Sequence, residues 1–286
     1  MNAATRWTSI ATIAFVTACV DADTDADPEI IGPHGGRMVL IPAGSFDMGC
    51  TPGQESHCQF EGSHETPVMP VTLTHAYYMG ETEVTQAEYE AVMGTNQSYF
   101  SDCGTDCPVD AVNWHEAAAY TNALSTIAGL TECYMCREGA CEVAMSPYDC
   151  DGYRLPTEAE WEGAARCGED LLYAGSDDIE AVGWTDRNSE STPHPVAGKD
   201  ANACGLYDMT GNVWEWTQDW YSGGYYSADG RTDPEGASES YDDRRAVIRG
   251  GGASSSPGYA RVAHRFPHEQ TTGSNEVGFR LTRTLP

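Results

Sequence analysis

Apolar and polar positions first fall into a readable pattern past residue 37. Met38-Val39-Leu40-Ile41 and Ser45-Phe46-Asp47-Met48 flank Pro42-Ala43-Gly44 and predict two short strands about a turn. Residues 68–78, with Val71, Leu73 and Ala76 in looser alternation, predict one longer extended stretch. The period then turns helical. Thr85 followed by Glu88 is a capping-box pattern, and Gly94 after Val92 and Met93 closes the first helix. A second helix starts near Asn113, with Glu116 in its first turn, and runs through Ala117, Ala118, Tyr120 and Leu124 toward Gly129. The third signal is the clearest: in Arg154-Leu155-Pro156-Thr157-Glu158-Ala159-Glu160-Trp161-Glu162, Thr157 is the N-cap and Glu160 its reciprocal partner, with an end by Gly168. Glu158, Glu160 and Glu162 read as a solvated helix start, since acids favour the first turn. Beyond it only short extended pieces such as residues 246–249 and 278–282 stand among loops rich in Gly, Ser, Asp and Asn. The pattern predicts an α+β fold of low regular secondary structure, with two to three helices packed on short antiparallel strands.

The N-terminus follows a different logic. Arg6 precedes an apolar run at residues 10–16 that is too short to span a bilayer and ends in Val16-Thr17-Ala18-Cys19. Residues 1–18 read as a signal peptide. Small residues before a cysteine resemble the lipobox of bacterial lipoproteins, whose cleavage leaves the cysteine as a lipidated N-terminus. Cys19 is the candidate lipidation site; an ordinary secretory signal is the other reading, and export follows from both. Asp21, Asp23, Asp25 and Asp27 make residues 19–33 an acidic tether with nothing large to bury. Residues 34–286 then form one domain. The expected setting is a bacterial membrane-anchored lipoprotein, periplasmic or at the cell surface, touching the membrane through its lipid alone.

Cysteine usage supports that setting. With Cys19 set aside, ten of the eleven cysteines remain, an even number that suits disulfide pairing in an oxidising compartment. Cys50 with Cys58 and Cys103 with Cys107 are close in sequence, Cys133, Cys136, Cys141 and Cys150 form a cluster of open connectivity, and Cys167 and Cys204 remain. Forty-four acids against fifteen Lys and Arg give a formal charge of −29, which argues against nucleic acid as a partner.

Four segments in fixed order sharpen the picture: residues 154–162, Gly205-Leu206-Tyr207-Asp208-Met209-Thr210-Gly211-Asn212-Val213-Trp214-Glu215-Trp216, Arg249-Gly250-Gly251 and Gly278-Phe279-Arg280. Together with the Gly-Glu-Thr-Glu-Val-Thr entry to the first helix at residues 80–85, they resemble the formylglycine-generating enzyme family, also called sulfatase-modifying factors, over residues 38–283. The resemblance implies a fold related to C-type lectins and, in several members, bound calcium. By that resemblance the calcium ligands are backbone oxygens of Thr210, Gly211 and Val213 with the carboxylate of Glu215, an oxygen set that suits a hard cation. A second calcium site would fall near residues 184–188, where Asn188 reads equally as a turn residue.

Enzymes of this family oxidise a substrate cysteine with copper(I) held by two thiolates, soft ligands for a soft metal. The corresponding stretch here, residues 249–265, contains no cysteine, and Ser254, Ser255 and Ser256 stand near the place of the first thiol. Copper is therefore not expected. Arg261 and Arg265 resemble a family feature lining the binding groove, although this acidic chain also offers them ion-pair partners. His57 and His64 beside Cys58 read as solvated loop residues, and Pro267 argues against a helical face shared by His264 and His268. The expectation is a surface lipoprotein whose sulfatase-modifying-factor-like domain binds a peptide or protein without copper. The alternative is an oxidoreductase of the family acting on protein cysteine, or another altered oxidative activity.

Overall fold

In the computed structural model, which describes residues 36–58, 64–237 and 244–285, the strands β1 (Met38–Ile41) and β2 (Gly44–Met48) flank the expected turn but enter different sheets. β2 pairs antiparallel with β3 (Met69–Leu73), and β1 with β4 (Tyr77–Gly80). The single stretch expected over residues 68–78 is thus two strands. Thr74 breaks it, because its amide and hydroxyl both donate to the Asp233 carboxylate at 2.7 and 2.5 Å. The signal-peptide segment, Cys19 and the acidic tether lie outside the described residues.

The helices form where their caps predict. α1 (Gln86–Met93) has the Thr85/Glu88 capping box and ends on left-handed Gly94, and α2 (Trp114–Ala128) has an Asn113/Glu116 box and ends on left-handed Gly129. The hairpin β5 (Tyr134–Arg137) and β6 (Ala140–Val143) and the short β7 (Tyr153–Arg154) lead to α3 (Glu158–Arg166), capped by Thr157 and Glu160. Cys167 itself takes the left-handed C-cap at φ 45°, one residue before the expected Gly168. A one-turn helix, α4 (Ile179–Val182), follows. The chain closes with β8 (Trp214–Trp220), β9 (Arg231–Thr232), β10 (Arg245–Arg249), β11 (Phe266–Glu269), β12 (Val277–Gly278) and β13 (Thr282–Thr284).

Two four-stranded sheets, β1-β4-β13-β7 and β11-β10-β8-β12, organise the fold. Not every pair is antiparallel as expected: β12 runs parallel to β8 and β9 parallel to β3. Pro267 sits on the edge strand β11, where a missing amide donor is tolerated. One core packs α1 and α2 through Tyr89, Tyr120, Trp216 and Phe279, with the two tyrosine rings stacked 5.4 Å apart. A second core sets Trp161 of α3 against Met48, Met69 and Val71 of β2 and β3. Among the described residues no helix is long and apolar enough to cross a membrane.

All ten cysteines downstream of Cys19 are paired, as Cys50–Cys58, Cys103–Cys107, Cys133–Cys150, Cys136–Cys141 and Cys167–Cys204. The cluster left open by sequence resolves into one pair that ties the loop after α2 to the approach to β7 and one that staples the β5–β6 hairpin. Disulfides in such number form and persist outside the reducing cytosol.

Candidate functional site

The sequence segments that looked most like a site prove to be an ionic frame. Glu158, Glu160 and Glu162, expected to be solvated, are 1%, 1% and 0% exposed. Each is held by arginine. Glu160 closes the capping box and also takes two 2.7 Å bonds from Arg154. Glu162 is shared by Arg166 one turn on and by Arg249, whose guanidinium also reaches the carbonyls of Val262, Ala263 and His264. Glu158 receives two 2.7 Å bonds from Arg265. The helix face reads as polar, yet it is buried, because its charges are answered both by nearby Arg154 and Arg166 and by Arg249 and Arg265, 87 and 107 residues away. Sequence did carry a signal for this: most of the arginines and glutamates lie inside the same motif segments.

Arg261 and Arg265, the groove candidates, belong to this frame. Arg261 is 1% exposed and forms a forked pair with Glu65 at 2.6 and 2.8 Å, while Arg265 is 0% exposed and lies within 5 Å of the ring centres of Tyr221 and Tyr226. Both guanidiniums are buried in ion pairs of the kind this acidic chain offers them, and neither stands open to a ligand. Burial alone would push the Glu65 carboxyl up, but His264 and Arg261 outweigh it and hold it at about 2. A carboxylate whose pKa is depressed on folding contributes stability above its unfolded value, near 4.5, and loses it as pH falls toward 2. Urea melts between pH 5 and pH 2 should therefore show an acid loss on the order of 2 kcal/mol that flattens in Glu65→Gln; an unchanged slope would contradict the pairing.

The loop named for calcium sits at the centre of the fold. Gly211 takes φ 79°, and a Cβ there would come within 2.1 Å of the Trp184 carbonyl, so glycine is required. Glu215 is fully buried, with both oxygens bonded by Arg280 at 2.6 Å and Oε2 also by the Trp161 indole at 2.7 Å. Beside it stand two more buried carboxylates, Glu83 and Asp208. Asn212 donates to Glu83, and the Ala197 amide donates to Asp208 Oδ2. Asp208 Oδ1 is buried and has no hydrogen-bond partner among the described residues. Burial first, then the neighbouring Asp208 and Glu215, pushes the Glu83 carboxyl well above its ordinary range, and burial lifts Asp208 to about 6. Three carboxylates with one arginine among them leave negative charge unanswered, and the bare Asp208 oxygen fits a hard cation. Asp208 and Glu83 were not named from sequence, although Asp208 lies within the quoted motif. Near the second suggested calcium position, Asn188 bonds the amide of Thr185 and the carbonyl of Gly183, and so closes a turn.

An open groove does exist, over the aromatic end of β8. It encloses about 440 Å³ and is walled by Trp214, Tyr259 and Phe266, with Ser255, Asp186 and Glu276 at its polar side. Ser254 bonds the Glu276 carboxylate, and Ser255 accepts from the Trp214 indole and the Gly252 amide at 3.1 Å each. These hydroxyls hold a turn. They remain protonated near neutral pH and cannot replace thiolates on copper(I), and every downstream cysteine is tied in a disulfide, so the donor set does not fit that metal. The histidines are dispersed. His57 is exposed, His64 bonds the Tyr221 hydroxyl at 2.8 Å, His264 bonds Glu65 at 3.0 Å, and His268 lies on β11.

A profile of the sulfatase-modifying factor enzyme 1-like domain matches residues 26–285. The chaperone protein LppX of Paenibacillus barcinonensis is 30% identical over 246 residues, which cover 75% of this chain and 82% of that protein. The formylglycine-generating enzyme of Streptomyces coelicolor is 30% identical over 284 residues, covering 85% of this chain and 88% of that one. Among solved structures, Treponema denticola variable protein 1 superposes with a TM-score of 0.75 at 31% identity, over 90% of this chain and 98% of that chain.

Proposed function

The chain belongs to the sulfatase-modifying factor enzyme 1-like family, and from that premise we propose that it is an exported, lipid-anchored module that binds a peptide or protein in the groove over Trp214 without copper chemistry. The observation that carries this reading is the replacement of the family's thiol-bearing stretch by one in which serines brace a turn and aromatic rings wall a cavity. A catalytic metal has lost its ligands there, while the frame beneath the groove is intact. Trp214, Tyr259 and Phe266 offer the apolar anchoring surface that a side chain of a bound polypeptide needs, and Asp186 and Glu276 offer acceptors for its polar groups. A relative named as a chaperone adds support for a polypeptide occupant.

Calcium would be held by the carbonyls of Thr210, Gly211 and Val213 with the carboxylates of Glu215 and Asp208. It would offset the surplus charge in the loop that leads into β8. The groove's Trp214 begins that strand, so a bound ion would brace the wall from behind.

The test is direct. Titration of copper(I) against a competing chelator, with mass spectrometry of a cysteine peptide incubated in oxygen, should give no stoichiometric copper and no aldehyde. A thiol count on the unreduced protein should find only Cys19, and none once that residue is lipidated. Tight copper with aldehyde product, or a reactive thiol pair, would overturn the reading. Cys19→Ser should release the protein from membranes; continued retention would refute the anchor. Phe266→Ala and Trp214→Ala should abolish binding of peptides selected on the wild-type domain, and undiminished binding would place the ligand elsewhere.

A further inference from the structure

A second cleft lies at the other end of β8. Trp214 and Trp220 are six residues apart, about 20 Å along a strand, and the two cavities share no wall residue. The cleft encloses about 440 Å³ between the first turn of α2, the β5–β6 hairpin and the end of β8.

Its walls are unusually well placed for polar recognition. Gln218 and Gln270 line it although they are only 6% and 4% exposed. The Tyr134 hydroxyl accepts from the Leu155 amide and donates to Gln218 Oε1 at 3.1 Å. That bond fixes the orientation of the Gln218 carboxamide and leaves its Nε2 as a donor with no partner among the described residues. Gln270 has neither end of its side-chain amide bonded among the described residues, so it offers a donor and an acceptor. Among the described residues, the Gln218 Nε2 and both ends of the Gln270 side-chain amide are therefore left for a group in the cleft to complete.

The remaining lining is held in place. The Trp114 indole N–H is spent on the Thr217 carbonyl at 2.9 Å, which pins the ring against the cleft. His115 Nδ1 accepts from the Cys141 amide at 3.1 Å, so the neutral ring carries its proton on Nε2. Cys141 is itself stapled to Cys136, which rigidifies the hairpin wall. Trp220 supplies a second, half-exposed indole, and Arg244 and Glu142 place one charge of each sign at the exposed rim.

We infer that this cleft is a second binding site, independent of the peptide groove, for a neutral polyhydroxylated ring such as a sugar residue. Hydroxyl groups both donate and accept, which is what paired carboxamides require. The C–H face of a sugar ring carries slight positive charge that suits the negative face of an indole. A charged ligand would find its charge met by one rim group and opposed by the other. Water could fill the cleft, but it would leave the partly exposed Trp220 face unused.

Saturation-transfer NMR with the methyl glycosides of glucose, galactose, mannose and N-acetylglucosamine tests the site. At least one glycoside should show transfer from the protein. Trp220→Ala and Gln270→Ala should each weaken its binding about tenfold, the equivalent of one good hydrogen bond or ring contact. Phe266→Ala, in the other groove, should leave it unchanged. Near-UV circular dichroism checks that each variant is folded, and if Gln270→Ala is not, Trp220→Ala decides. No transfer from any of the four glycosides, or binding undiminished in the cleft variants, overturns the assignment. So does loss confined to Phe266→Ala.

Discussion

Arg280→Met should lower the unfolding free energy by about 3–5 kcal/mol, the range for stranding one partner of a buried ion pair. Arg280 and Glu215 are both 0% exposed on their side chains, and the guanidinium also serves the carbonyls of Gly80 and Tyr207. Without it, Glu215 keeps one neutral donor, the Trp161 indole, for a full charge. In a domain of this size such a loss moves the melting temperature by roughly 10 °C. Glu215→Leu with Arg280→Met removes both charges together and should recover much of the loss, because well-packed apolar replacements of buried pairs are often close to neutral. Chemical denaturation of the single and double variants measures both. A single variant within about 0.5 kcal/mol of wild type would mean that another cation already answers Glu215.

Calcium removal should have an effect of similar size. With free calcium about 1,000-fold above its dissociation constant, binding to the folded state alone contributes about 4 kcal/mol. The melting temperature near neutral pH should therefore fall on addition of a chelator and return with excess calcium. Asp208→Asn removes the bare buried oxygen from the charge balance and should abolish most of that dependence. Magnesium should substitute poorly, since it demands a tighter octahedron than a loop of backbone carbonyls provides. A melt indifferent to chelator in the wild-type protein would show that the three carboxylates are stabilised by other means, with Glu83 retaining a proton as the natural candidate.

These two results bear on one arrangement. The motif segments 154–162, 205–216, 249–251 and 278–280 converge because their charged residues are each other's partners: Trp161 and Arg280 both grip Glu215, and Arg249 grips Glu162. Such a frame suits a fold with short strands and few helices, where hydrogen-bonded ladders alone would leave much of the backbone loosely held.

What the sequence determined by itself was local. The capping boxes at Thr85, Asn113 and Thr157 were legible because each is a contact across three residues, and the left-handed Gly94 and Gly129 mark helix ends by their own conformational freedom. Motif order was legible too, and it carried the fold family. The tertiary structure decided everything that depends on partners far apart in the chain. A run of glutamates at a helix start is solvated or buried according to whether arginines come to meet it, and Arg249 and Arg265 arrive from 87 and 107 residues away. The turn at Pro42-Ala43 could not reveal that its two strands join different sheets, because both partners lie beyond it. Gln218 and Gln270 likewise gave no signal, since nothing local marks a glutamine in a strand or loop for burial.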